Sequence, residues 1–291
     1  LMLKSLQKSA LLIAGPTASG KSALAMRYAR ERGGVIINAD SMQVYSELRI
    51  VTARPSIAEE DEVPHRLYGH VSGFDDYSVG RWLADAKREM TTAWEQGALP
   101  IVVGGTGLYF MALMGGLADV PPIDADVREK WRGFDGDLHA ELRGRDEEGA
   151  AILAPTDRQR LIRALEVFES TGKPLWQWQR DARDHAFLNQ INVERLLVDG
   201  PREELYARAD RRFEAMIEGG ALDEVRALPA MTPDKPLMKA IGVPELLAHL
   251  QGATLLDEAV ALAKIATRQY IKRQLTWARG QMKDWTLVGP S

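Results

Sequence analysis

Gly15, Pro16, Thr17, Ala18, Ser19, Gly20, Lys21 and Ser22 have the types and spacing of a loop that cradles phosphate. The two glycines let the backbone bend so that several N–H groups converge. The helical-looking residues from Ser22 onward put the positive end of a helix dipole behind them. Lys21 adds a full charge, and the Ser22 hydroxyl is placed to hold a magnesium ion. A diphosphate or a triphosphate is the implied ligand, and the loop alone does not choose between them. Asp40, just after the apolar run 35–39, is the second group that could do chemistry, as a metal ligand or as general base for an acceptor nucleophile. Thr106, in Gly104-Gly105-Thr106-Gly107, offers a hydroxyl where glycines allow a ligand to come close. No aspartate follows that third apolar run, where a phosphate-loop ATPase carries its metal carboxylate. Its absence favours a small transferase over a motor or a switch.

Arginines form two groups, Arg158, Arg160 and Arg163 in one and Arg208, Arg211 and Arg212 in the other. Either could neutralise phosphate charge or simply line a solvated helix face. Near the C-terminus Lys264, Arg268, Lys272, Arg273, Arg279 and Lys283 occur with no acidic residue between them. All but Arg273 fall within an arc of roughly 100° on a helix, a stripe suited to a polyanion or to solvent.

Elements that could position these groups follow from hydrophobic patterning. Apolar runs at 10–14, 35–39 and 99–103, separated by helix-length segments, predict parallel strands with crossover helices. Further strands are predicted at 193–198 and 285–288, and helices at 79–96, 201–218 and 254–283. Thr254 with Asp257 resembles a cap opening the last of these. Between 119 and 186 no strand stands out, helical stretches such as 158–170 alternate with charged loops, and Pro121-Pro122 marks the start. The expected architecture is an α/β core, residues 1–118 and 187–291, with a helical insertion at 119–186. The 291 residues suit that size, and 45% hydrophobic content is enough for a buried core. The absence of cysteine excludes disulfides, cysteine nucleophiles and the usual zinc-finger ligand sets. No apolar run reaches the roughly 18 residues of a membrane span. The net charge of −4 argues mildly against nucleic acid, although acidic clusters can mask a basic face. A cytoplasmic monomer is expected.

Taken together, these motifs resemble the bacterial tRNA dimethylallyltransferase family. The matching segments are residues 15–22, Asp40-Ser41-Met42-Gln43-Val44-Tyr45, Thr52-Ala53-Arg54-Pro55, Pro64-His65-Arg66-Leu67 and Val103-Gly104-Gly105-Thr106-Gly107-Leu108-Tyr109. Gln159-Arg160-Leu161-Ile162-Arg163, Thr267-Arg268-Gln269 and Lys272-Arg273-Gln274-Leu275-Thr276-Trp277 continue the series in the family's order. The resemblance implies a P-loop NTPase-like parallel-sheet core with a helical insertion that grips the anticodon arm. It also implies transfer of a dimethylallyl group from dimethylallyl diphosphate to N6 of adenosine 37 in tRNA, with Mg²⁺ as cofactor. By motif, Asp40 would be the general base, Thr106 would contact substrate, and Arg212 would support the diphosphate held by residues 15–22. Asp40, Ser41, Met42, Gln43, Arg128, Gln159, Arg160, Leu161, Ile162 and Arg163 match tRNA-contacting positions. The chain departs from the pattern at Val51, where glycine is usual, at Arg54 in place of lysine, and at Arg158 in place of proline. Lys239-Ala240-Ile241-Gly242-Val243-Pro244 replaces an arginine-bearing, glycine-tyrosine motif. Alternative readings are a small-molecule kinase, an isopentenyltransferase acting on free adenine nucleotide, and a non-catalytic RNA-binding protein.

Overall fold

The computed structural model describes residues 8–184 and 186–290; residues 1–7 and 291 of the expected core, and 185 of the expected insertion, lie outside it. In chain order the elements are β1 (Ser9–Ala14), α1 (Lys21–Arg32), β2 (Gly34–Asn38), α2 (Ile57–Glu62), β3 (His65–Arg66), α3 (Val79–Glu95), β4 (Leu99–Gly104) and α4 (Gly107–Gly115). There follow α5 (Ala125–Arg132), α6 (Leu138–Arg143), α7 (Glu147–Ile152), α8 (Arg158–Thr171), α9 (Leu175–Asp184) and β5 (Asn192–Val198). The chain closes with α10 (Arg202–Glu218), α11 (Ala221–Arg226), a 3₁₀ turn at Pro236–Lys239, α12 (Val243–Leu250), α13 (Leu256–Gln281) and β6 (Thr286–Val288). It divides into two compact units, residues 1–110 with 190–291, and residues 111–189. Pro121-Pro122 therefore lies inside the second unit, in the linker between α4 and α5, and does not mark its start.

The first unit is built on one parallel sheet of order β3-β2-β4-β1-β5-β6. Its central strands are apolar on both faces, as helix-covered parallel strands must be: Leu11, Leu12 and Ile13 are fully buried. Register aligns the strand ends, pairing Ala14 with Gly104 and with Leu197, and Asn38 with Val103. The loops after β1, β2 and β4 therefore emerge along one edge. The chain runs from β1 outward to β2 and later reaches β5 on β1's other side, so a crevice opens above β1's carboxyl end. Helix α3 turns Trp82, Leu83, Ala86, Met90 and Ala93 inward, one face of a 3.6-residue period. Helix α13 does the same with Ala263, Thr267, Ile271 and Leu275, and the last two pack with Leu205 and Ala209 of α10. Its start differs from expectation: Leu255 occupies the cap, its N–H bonded to Glu258 Oε2 at 2.9 Å, and Thr254 Oγ1 makes no bond. The two-residue β3 is too short to leave a hydrophobic pattern.

The second unit is helical, α5 to α9, around Trp131, Leu138, Leu142, Ala150, Leu161 and Leu165. Asp137, Asp146 and Asp157 cap α6, α7 and α8 through their side chains. The buried Glu166 carboxylate lies between Arg132 at 3.4 Å and Arg163 at 3.6 Å.

Candidate active site

The loop from β1 to α1 bends through left-handed Ala18 (φ 63°) and Gly20 (φ 90°), with Ser19 N–H donating to Pro16 O. Gly15 is required by close approach, since a Cβ there would lie 2.7 Å from Ser19 Oγ and 2.8 Å from the Val198 carbonyl. The first intrahelical bond of α1 is Leu24 N–H to Gly20 O, so the amides of Lys21, Ser22 and Ala23 have no helical partner. Lys21 Nζ donates to Pro16 O at 3.2 Å. Burial pushes the Lys21 ammonium down to about 8, opposed by the Asp40 carboxylate and assisted by the Arg212 charge. Ser22 is exposed at the mouth of the loop.

Asp40 is held by the end of β2. Asn38, fully buried, accepts the Asp40 N–H at 2.8 Å and donates Nδ2 to the carbonyls of Asp40 and Leu67. Trp82 Nε1 donates to Asn38 O, and Tyr109 stacks on Trp82 at 4.2 Å between centroids. One carboxylate oxygen of Asp40, Oδ1, accepts from Met42 N–H at 2.9 Å. The other makes no hydrogen bond among the described residues and can accept a proton. Thr106 Oγ1 accepts from Ser41 N–H at 2.9 Å, and Thr106 N–H donates to Ala39 O. A Cβ at Gly104 would lie 2.1 Å from Ala39 O, so glycine lets the β2 and β4 loops touch.

Helices α10 and α13 complete the site. The Arg212 guanidinium is buried, which lowers its pKa, while the nearby Asp40 carboxylate raises it. Asp40, Thr17, Thr52, Arg212 and Lys239 line a polar cavity of about 260 Å³. A second cavity of about 280 Å³ has apolar walls from Phe110, Leu197, Trp277 and Met282, with Gly15, Gly105 and Thr106 on its rim. Tyr270 and Arg273 line both. Gln274 Oε1 accepts from Thr17 N–H at 2.9 Å and its Nε2 donates to Gly105 O at 3.0 Å, joining the two glycine loops. The structure thus brings Asp40, Thr106, Arg212 and residues 15–22 to one edge of the sheet. Asn38, Tyr270, Arg273 and Gln274 escaped the sequence reading as site residues. The signal was the spacing of Tyr270, Gln274 and Trp277, i, i+4 and i+7 on one helical face.

Of the residues matched to RNA, Ser41, Met42 and Gln43 follow Asp40, and Gln43 Nε2 donates to the carbonyls of Thr52 and Ala53. In the second unit Arg128, Gln159 and Arg160 are exposed, whereas Leu161 is 1% exposed and belongs to the core. The Leu161 side chain is therefore not presented at the surface, and Ile162 packs against the same core. The basic stripe on α13 is shorter than its sequence: Lys264 pairs with Glu214 at 2.5 Å and Arg268 with Asp210, both from α10. Lys272, Arg273, Arg279 and Lys283 are exposed. Val51 needs no left-handed backbone and packs into the core with Phe213, which explains why glycine is dispensable there. Arg54 donates to the carbonyls of Tyr45 and Ser46, and Arg158 to those of Arg132 and Phe134.

Ser22, exposed at the mouth of the loop, is the residue whose hydroxyl could stand beside a magnesium ion that keeps waters and phosphate oxygens as its other ligands.

Two family models match, one described as IPP transferase over residues 43–281 and one as isopentenyl transferase over residues 8–73. The tRNA dimethylallyltransferase of Azorhizobium caulinodans is 54% identical over 289 residues, covering 97% of this chain and 92% of its own. That of Agrobacterium fabrum is 50% identical over 299 residues, covering 99% and 100%. Among solved structures, the tRNA isopentenylpyrophosphate transferase of Bacillus halodurans matches with TM-score 0.69 and 33% identity, over 97% of this chain and 90% of that one. A eukaryotic dimethylallyltransferase acting on tRNA matches with TM-score 0.82 and 28% identity, over 98% and 74%.

Proposed function

The chain belongs to the IPP transferase family and transfers a dimethylallyl group to a tRNA adenosine; we propose that the acceptor is N6 of adenosine 37, with Asp40 as its general base. The observation that carries this reading is that Asp40 and Arg212 line one cavity together with Thr17 of the phosphate loop.

The exocyclic amine of adenine is a weak nucleophile because its lone pair is delocalised into the ring. The barrier is lowered chiefly by easing departure of diphosphate from C1 of the allyl group. Negative charge grows on the bridging oxygen as that bond breaks, and the loop amides, the Lys21 ammonium and the Arg212 guanidinium present fixed positive potential to it. Ser22 would hold a magnesium ion beside the diphosphate, and that ion would supply further charge neutralisation. The N6–C1 bond forms as the C1–O bond breaks, and the free oxygen of Asp40 takes the N6 proton. The five-carbon tail needs apolar walls, which Phe110, Leu197 and Trp277 provide, and the base lies toward Asp40 in the polar cavity. Thr106 orients this arrangement through Ser41. Placing amine and allyl carbon together contributes several kcal/mol, up to ~7–11 in ideal cases. The adenosine must leave its stack to reach Asp40. Arg128, Gln159, Arg160 and Arg163 hold the anticodon arm, and the setting is the cytoplasm, where tRNA is matured. No described helix is long and apolar enough to cross a membrane.

Asp40→Asn tests the base. It keeps an acceptor for Met42 N–H, so turnover should fall about 10²-fold or more while tRNA affinity is retained. Unchanged turnover would remove Asp40 from the role.

A further inference from the structure

We infer that Gln274 sets the length of the anion the loop accepts, closing the cradle at two phosphates and excluding a third. This rests on the reading of residues 15–22 as a diphosphate cradle. A loop of this sequence, left open, serves triphosphates equally well, because its amides converge on a chain of phosphates and its lysine reaches along it. Here that surface is shortened from one end. Thr17 N–H, the first amide after Pro16, is taken by Gln274 Oε1 at 2.9 Å. The other end of the same amide group donates to Gly105 O at 3.0 Å, so the side chain spans from the β1 loop to the β4 loop. It lies flush against the second loop: a Cβ added at Gly105 would meet Gln274 Nε2 at 2.3 Å. Tyr270, one turn earlier on α13, lines both cavities beside it. Ser19 N–H is spent within the loop on Pro16 O. The amides of Lys21, Ser22 and Ala23 remain at the helix end, together with the Lys21 ammonium. An anion seated there meets the Gln274 side chain where a further phosphate would continue toward Thr17.

Charge alone predicts the opposite preference, since triphosphate carries more negative charge and would bind a purely electrostatic cradle more tightly. Selectivity for diphosphate therefore reports the Gln274 plug and not the field.

Titration calorimetry of the full chain with magnesium diphosphate and magnesium tripolyphosphate tests this. The wild-type chain should bind diphosphate about 10-fold or more tightly than tripolyphosphate. Gln274→Ala, which clears the side chain beyond Cβ and releases Thr17 N–H, should bring the two affinities within about 2-fold of each other or reverse them. Gln274→Glu keeps the acceptor and, although its charge weakens both anions, should preserve the preference for diphosphate. A wild-type chain that binds tripolyphosphate as tightly as diphosphate overturns the inference while leaving the diphosphate cradle intact. Equal weakening of both anions by Gln274→Ala, with their ratio unchanged, also overturns it and makes Gln274 structural. A wild-type chain that binds neither anion overturns the cradle reading as well.

Discussion

At the scale of single residues, the site depends on charges held away from water. Lys21 is the clearest case, because burial brings its ammonium down to about 8 even with Asp40 opposing the shift. Deprotonation removes the positive charge that faces diphosphate, so affinity should be level below pH 7 and fall about tenfold per pH unit well above 8. Bound diphosphate raises the Lys21 pKa in turn, so binding near pH 8 should take up protons. Lys21→Arg carries a charge that does not titrate in this range, and its pH profile should lack the decline. Identical profiles for the two chains would show that Lys21 is not the titrating group. The placement of Lys21, Asp40 and Thr106 beyond the carboxyl ends of their strands was legible from type and spacing. Asn38 was not, because a buried asparagine at a strand end looks like any polar terminus until Trp82, 44 residues on, is seen bonded to its carbonyl.

At the scale of elements, α13 shows why a helix can be read from sequence while its surface cannot. Its apolar period is local, but Asp210 and Glu214, which neutralise Arg268 and Lys264, belong to another helix more than 45 residues away. A stripe of five cations in the sequence thus shrinks to its C-terminal part. Lys272, Arg279 and Lys283 are the exposed members outside the two pairs with α10, and replacing the first two by Glu should weaken tRNA binding and reduce the magnitude of its log–log salt slope by about 1 per residue. A slope that does not change would return that face to solvent. The segment 49–51 makes the same point: Glu224 of α11 accepts the N–H groups of Arg49, Ile50 and Val51, shaping one wall of the polar cavity from 173 to 175 positions away.

At the scale of the whole molecule, the parallel sheet was legible because its strands are short apolar runs spaced by helix-length segments, the pattern that buried parallel strands impose. Strand order was not, since it depends on which crossovers return beside β1. That order matters chemically: β4 lies directly beside β1, so the glycine loops at 15–20 and 104–107 face each other and Gln274 can join them. A helical insertion is expected at 119–186 from the lack of strands there, and the compact helical unit of the structure spans 111–189. The most direct test of transfer from an allyl diphosphate to tRNA gives the protein labelled dimethylallyl diphosphate and magnesium, with unmodified tRNA and AMP offered in parallel. The expected result is label on N6 of adenosine 37 of the tRNA, one diphosphate released per transfer, and none on AMP. Label on AMP alone, or on neither acceptor, would contradict it.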